Sequence, residues 1–142
     1  MAPPPASFPW APQLQRLQQR DGALALLGTQ AMFAAEGNAL TAAGLALEQL
    51  LLAGEGQLKA DNDVSLVADE LRRYQKFAPP GRLSVQIVQL RRQQSTVQQA
   101  QRIARQTFIR NADGFARALG LDVPQKLGVV ETVMRWLRAN LA

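Results

Sequence analysis

Residues 90–112 read LRRQQSTVQQAQRIARQTFIRNA, a stretch with five arginines, many glutamines and no acidic residue. Alanine, leucine, glutamine and arginine are strong helix formers, and neither glycine nor proline interrupts the stretch, so it predicts one long helix that begins at Ser84. On a helical wheel of about 100° per residue, apolar side chains share one sector with Ile87 at its edge, which predicts a stripe that faces the core. The members of this apolar stripe are Leu83, Leu90, Val97, Ala104 and Phe108.

A second stripe on the same predicted helix is basic. Arg91, Arg102 and Arg105 lie about 100° from the apolar stripe, with Gln98 between them. Arg91 and Arg102 are three turns apart, about 16 Å along the axis at 1.5 Å per residue. An extended row of guanidinium groups suits a polyanion better than a small ligand, and arginine forks match phosphate oxygens. We call these four residues the arginine stripe, and they are candidate nucleic-acid-binding residues.

The segment LRRYQKF, residues 71–77, adds Arg72, Arg73 and Lys76 as further candidates. Basic and aromatic residues alternate in this segment, as they do in proteins that bind single strands. In a helix, however, Tyr74 and Phe77 share a face with the preceding leucine, so a core role explains these two aromatic residues at least as well.

Charge is distributed unevenly along the chain. Residues 71–112 contain nine Lys or Arg and no acid, whereas residues 21–70 contain eight acids and one base, Lys59. A basic half of this kind predicts an acidic partner or a nucleic acid. Two other interpretations stay open: the basic half pairs with the acidic half inside one fold, or it meets the acidic half of a second copy in a head-to-tail association.

The coarse pattern predicts an all-α fold, a single-domain bundle of about five to six helices with an extended N-terminal arm. We expect residues 1–12 to form the arm and residues 13–142 one domain, with an acidic half at 21–70 and a basic half at 71–112. Helix breaks are expected at Asp21-Gly22, Glu36-Gly37-Asn38, Gly54-Glu55-Gly56 and Pro79-Pro80-Gly81, and at either Asp113-Gly114 or Gly120-Leu121-Asp122. The candidate helix starts are Asn38 for a helix to about Ala53, Asp61 or Asp63 for one to about Phe77, and Asp122 with Pro124 for the last.

The arm, MAPPPASFPWAP, holds five prolines and favours an extended conformation. Its large apolar side chains are Phe8 and Trp10, which, together with Trp136, are candidate anchors for other protein subunits; covering the domain's own core is the alternative. The arm lacks the basic and apolar pattern of a secretory signal, and no apolar stretch approaches the ~20 residues that a membrane span needs. We therefore expect a cytoplasmic protein without a membrane partner.

The chain has no histidine and no cysteine. Common zinc sites, Ser-His-Asp triads and the usual general base near neutral pH are therefore excluded. Residues 61–65, DNDVS, imitate the start of a calcium loop, but Leu66 holds the glycine position and Arg72 the position of the last glutamate, so a helix cap explains them better. We expect neither an enzyme nor a bound metal or cofactor.

These observations favour a non-enzymatic accessory subunit of a larger assembly, which holds a nucleic-acid strand by sequence-independent backbone contacts. The partner is a single strand or an RNA-containing duplex. The build is similar to that of the small helical subunits in RNA-guided effector complexes, a likeness at the level of fold alone. The alternative is a helical protein-binding scaffold or chaperone, such as a phage, plasmid or secretion accessory protein, whose basic face meets an acidic protein.

Overall fold

The computed structural model describes residues 8–20, 26–27, 30–34, 39–77 and 85–141. These residues form four α-helices and one antiparallel pair of very short strands, with Leu26 opposite Ala31 and Leu27 opposite Gln30. The predominantly helical character confirms the all-α expectation. The elements in chain order are α1 (Ala11–Gln18), β1 (Leu26–Leu27), β2 (Gln30–Ala31), α2 (Ala42–Phe77), α3 (Val85–Leu119) and α4 (Gly128–Asn140).

Two long helices, α2 and α3, dominate the fold as an antiparallel hairpin. α2 has 36 residues and α3 has 35, so each is about 54 Å long at 1.5 Å per residue. The contacts show the antiparallel arrangement. Asp61 and Gln101 are hydrogen-bonded near the middle of the two helices, and Leu71 near the end of α2 shares a buried cluster with Ile87 and Leu90 at the start of α3. Ile87 is therefore a core residue, not a residue at the edge of the apolar stripe.

The expected breaks inside the two long helices are wrong. Gly54 lies within α2, where a Cβ atom would meet the ring of Phe8 at 3.1 Å and the ring of Phe108 at 3.4 Å. A glycine in a helix costs about 1 kcal/mol relative to alanine, and close packing on the hairpin offsets this. Asp61 and Asp63 lie in the middle of α2 and do not begin a helix. α3 continues through Asp113 and ends at Leu119, so of the two expected breaks the one at Gly120-Leu121-Asp122 is correct.

The described ranges contain four helices, whereas five to six were expected for the whole chain. The last helix begins at Gly128, which has a φ of 81°, and not near Pro124. Asn38, Leu83, Ser84 and the expected breaks at residues 21–22, 36–38 and 79–81 lie outside the described residues, as do residues 1–7 of the expected arm. α1 begins at Ala11, inside the segment for which an extended arm was expected.

We call one end of the hairpin the base: residues 42–58 of α2 and 104–119 of α3. α1 packs on α2 here, α4 packs on α3, and Gln13 Nε2 of α1 donates a hydrogen bond of 2.9 Å to the carbonyl oxygen of Leu141. We call the other end, residues 59–77 and 85–103, the distal half. The main core lies in the base and contains Leu14, Leu17, Leu27, Met32, Ala43, Leu47, Leu50, Leu51, Ala112, Phe115, Ala116, Leu119, Val133, Leu137 and Leu141.

The three aromatic residues considered as anchors for other subunits pack on this core. Phe8 and Trp10 form an edge-to-face pair with ring centroids 6.0 Å apart. Trp136 makes a similar contact with Phe115 at 5.1 Å. All three are partly buried against the main core, so covering the base is the role that their contacts support.

Candidate nucleic-acid interface

All seven candidate site residues lie in the distal half, apart from Arg105, which lies just inside the base. Each of them is exposed. α3 contributes Arg91, Gln98, Arg102 and Arg105, and α2 contributes Arg72, Arg73 and Lys76.

The hairpin register brings part of the α2 group towards the arginine stripe. Leu71 packs with Ile87 and Leu90, so Arg72 lies level with Arg91, and Lys76 lies about one turn further along α2, opposite the start of α3. Residues four apart share a helix face, which puts Arg72 and Lys76 on one side of α2. The two elements can therefore present one basic surface.

Arg73 belongs to a different surface. It lies about 100° from Arg72 around α2 and lines depressions with Glu70, Tyr74 and Phe77 on the other side of the hairpin. The structure thus separates two neighbouring arginines that the sequence analysis grouped together.

Arg105 is paired inside the fold. Its Nη2 atom lies 3.7 Å from Oδ1 of Asp61, and the same oxygen accepts a 2.7 Å hydrogen bond from Nε2 of Gln101. Within the described ranges this is the ion pair that joins α2 to α3. The interpretation in which the acidic half compensates the basic half is therefore correct at this one position.

The remaining candidates differ in how much of their charge is compensated. Arg72 pairs with Asp69 of its own helix, and both side chains are largely exposed. Arg91 and Arg102 form no ion pair with any residue that the structure describes, and the same holds for Lys76. Arg91 and Arg102 thus form the uncompensated centre of the surface, about 16 Å from end to end.

The described part of the chain contains no group of three or more acidic, histidine or cysteine side chains that could hold a metal ion. None of the helices in that part is long and apolar enough to cross a membrane.

A search of family models, curated proteins and solved structures finds no significant match to the chain.

α2 carries a row of exposed apolar side chains that was not predicted from the sequence. Tyr74 is 47% exposed and Phe77 is 79% exposed, so the core role considered for them is wrong. The sequence of this segment does not reveal them, because Tyr74 lies only about 60° and Phe77 about 120° from the buried Leu71, and tertiary packing decides which side of α2 meets α3. Leu66, at 56% exposure, belongs to the same side of the helix.

Proposed function

We propose that this protein is a non-enzymatic accessory subunit that holds a nucleic-acid strand by its backbone along the distal half of the hairpin. The observation that carries the proposal is the pair Arg91 and Arg102, which are exposed, form no ion pair with a residue in the described ranges and lie on a helix that has no acid before Asp113. Arg72 and Lys76 of α2 extend the same side of the hairpin.

Phosphate binding at this surface follows from simple electrostatics. Each guanidinium or ammonium group that neutralises a phosphate releases condensed counterions, which drives association. The carboxylates already paired with Arg72 and Arg105 are weak competitors, because exposed ion pairs contribute only about 0–1 kcal/mol. Gln98 adds an amide donor in the same row. Contacts of this kind go to phosphate and sugar and carry no sequence information.

A cytoplasmic assembly with RNA or single-stranded DNA is the setting we propose, in the manner of the small helical subunits of RNA-guided effector complexes. Salt titration of a fluorescein-labelled mixed-sequence strand tests this, with DNA and RNA strands of equal length. We expect binding at low salt whose log-log slope reflects several phosphate contacts, at about 0.7 per contact for single strands. A lack of binding to both strands at low salt would contradict the proposal.

A second candidate function uses the same surface. In a helical scaffold or chaperone, the arginine stripe would meet an acidic protein, and the Arg105–Asp61 pair favours this because a guanidinium group of the stripe already binds a carboxylate. The absorbance ratio at 260 and 280 nm of the purified protein separates the two functions, since co-purified nucleic acid raises it and an acidic protein does not.

Head-to-tail self-association stays a prediction, in which acids of residues 21–70 in one copy meet the arginine stripe of the next. Sedimentation without nucleic acid tests it. Species larger than a monomer are expected at low salt and should dissociate at moderate salt, because screening weakens contacts between exposed charges. A strict monomer under both conditions would count against it.

A further inference from the structure

The side of the hairpin opposite the arginine stripe carries an exposed apolar groove. Leu66, Tyr74 and Phe77 fall within about 80° on the wheel of α2, and they are 56%, 47% and 79% exposed. Exposed apolar residues are ordinary when they are scattered singly, but three on one helix face, here interspersed with Glu70 and Arg73, indicate an interaction site.

Neighbouring depressions along this face share lining residues. One lies between the two long helices, has a volume of about 440 Å³ and is walled on the α3 side by Gln93 and Val97. Leu66 links it to a depression beside Leu58, and Arg73 links it to one at Phe77. From Leu58 to Phe77 the groove is about 28 Å long at 1.5 Å per residue. We call it the α2 groove.

The charges of the α2 groove favour one kind of occupant. Asp63 and Glu70 line its middle, two turns apart, and neither forms an ion pair with a described residue. Arg73 lines the same depression as Asp63 and Glu70, and Glu55 and Lys59 line the depression at the Leu58 end. Among the described lining residues three acids therefore face two bases, and the α3 wall adds the uncharged Gln93. A carboxylate pair beside apolar side chains repels phosphate and attracts basic groups.

We propose that the α2 groove binds an amphipathic α-helix of a partner protein. Apolar side chains of that helix, repeating every three or four residues, pack against Leu66, Tyr74 and Phe77, as in other helix-in-groove complexes. Two Lys or Arg residues seven positions apart pair with Asp63 and Glu70. A helix of about 19 residues fills the groove from end to end.

Other occupants fit the groove less well. A two-fold contact between two copies, centred near Leu66, would place Asp63 and Glu70 of one copy against Glu70 and Asp63 of the other, which brings like charges together. The carboxylates of Asp63 and Glu70 also repel nucleic acid and anionic lipid, because both are negatively charged. The groove and the arginine stripe lie on different sides of the hairpin, so a partner helix and a nucleic-acid strand can be bound at the same time.

A designed peptide tests the proposal on the full-length protein. The probe is a fluorescein-labelled helix of about 19 residues with leucines in heptad spacing and lysines seven residues apart. Two comparison peptides carry glutamate in place of lysine or the same residues in scrambled order. By anisotropy at low salt we expect micromolar affinity for the lysine peptide, and affinity weaker by about tenfold or more for the other two.

Matched variants locate the binding. The double change Leu66→Ser and Phe77→Ser should weaken binding of the lysine peptide by about tenfold or more. Leu45→Ser with Ile103→Ser removes apolar side chains of 51% and 56% exposure elsewhere and should leave binding unchanged. Asp63→Asn with Glu70→Gln should abolish the preference for lysine over glutamate, whereas Asp113→Asn with Asp122→Asn should not. Far-UV circular dichroism verifies that every variant keeps its helix content.

Several results would overturn the proposal. One is the absence of saturable binding of the lysine peptide up to about 1 mM. Another is binding that Leu66→Ser with Phe77→Ser does not alter. A dimer that this double change dissociates would assign the groove to a second copy. Binding to phosphatidylserine vesicles, if the same change abolishes it and the peptide does not compete, would assign the groove to a membrane surface.

Discussion

The base of the hairpin contains one cluster of fifteen buried apolar residues, whereas the distal half contains a separate cluster of three: Leu71, Ile87 and Leu90. The same two helices build both regions, and in the described part of the chain α1, the strand pair and α4 cover mainly the base. Helices gain most of their stability from packing an apolar face, so folding depends mainly on the base. In the described part of the distal half, Arg91, Arg102, Leu66 and Phe77 stay exposed.

Removing a large core side chain should have the largest effect, and the effect should differ between the two regions. Phe115→Ala in the base should lower the free energy of unfolding by about 3–5 kcal/mol, because Phe115 is fully buried and supports Trp136. Leu90→Ala in the distal half should lower it by about 2 kcal/mol, the low end of the range for leucine. Urea unfolding measures both, and an equal or greater loss for Leu90→Ala would contradict the comparison.

Two glycines of α2 sharpen the same contrast. In the base, a Cβ on Gly44 would lie 2.0 Å from the carbonyl oxygen of Met32, a backbone atom, so Gly44→Ala should destabilise the protein by about 3 kcal/mol. A Cβ on Gly56 meets nothing within 4 Å, so Gly56→Ala should stabilise it by up to about 1 kcal/mol through helix propensity. Thermal melts of the two variants should therefore shift in opposite directions. Destabilisation by Gly56→Ala would mean that α2 is not continuous at this residue.

Hydrogen exchange should distinguish the two halves of α3 without any mutation. Local opening is easiest where few apolar contacts are buried. Amides around residues 91–103 should therefore exchange faster than those around 108–119 in the base. Uniform protection along α3 would show that the hairpin opens as one unit.

The smallest effect concerns the ion pair where the two regions meet. Asp61→Asn should change stability by no more than about 1 kcal/mol, because Asp61 and Arg105 are both partly exposed. If the arginine stripe contacts phosphate, the same change should strengthen binding to a strand, since Arg105 loses its competing carboxylate. Asp122→Asn is the control for net charge. Equal binding gains in both variants would show that only net charge matters.

How far the sequence predicts this fold also differs between the regions. Helix propensity and the helical wheel predict the long α3 and the buried Leu90 on its apolar stripe, because local chemistry dominates there, whereas Val97, Ala104 and Phe108 of that stripe are half-buried. Propensity and the wheel do not predict that α2 continues through Gly54, since that depends on Phe8 and Phe108 packing against a residue without a side chain. The register of the hairpin also depends on tertiary packing, and this register brings Asp61 of α2 next to Arg105 of α3.

The candidate site was predictable to a similar degree. The uncompensated arginines on α3 follow from composition and spacing. The division of Arg72 from Arg73, and the exposure of Tyr74 and Phe77, require knowledge of which side of α2 meets α3. A short apolar and basic segment fits a core face and a surface equally well until its partner helix is known.

The most direct test of the central claim, that the arginine stripe binds nucleic-acid backbone, is the salt dependence of strand binding in the triple variant Arg91→Gln, Arg102→Gln and Arg105→Gln. Its control, Arg117→Gln, Arg135→Gln and Arg138→Gln, removes the same charge from exposed positions around the base. We expect both proteins to fold, because exposed substitutions usually shift stability by no more than ~0.5 kcal/mol each. The stripe variant should bind more weakly, with a log-log salt slope smaller by about two units, and the control should keep the parent slope. Parent-like affinity and slope in the stripe variant, or its unfolding, would contradict the claim.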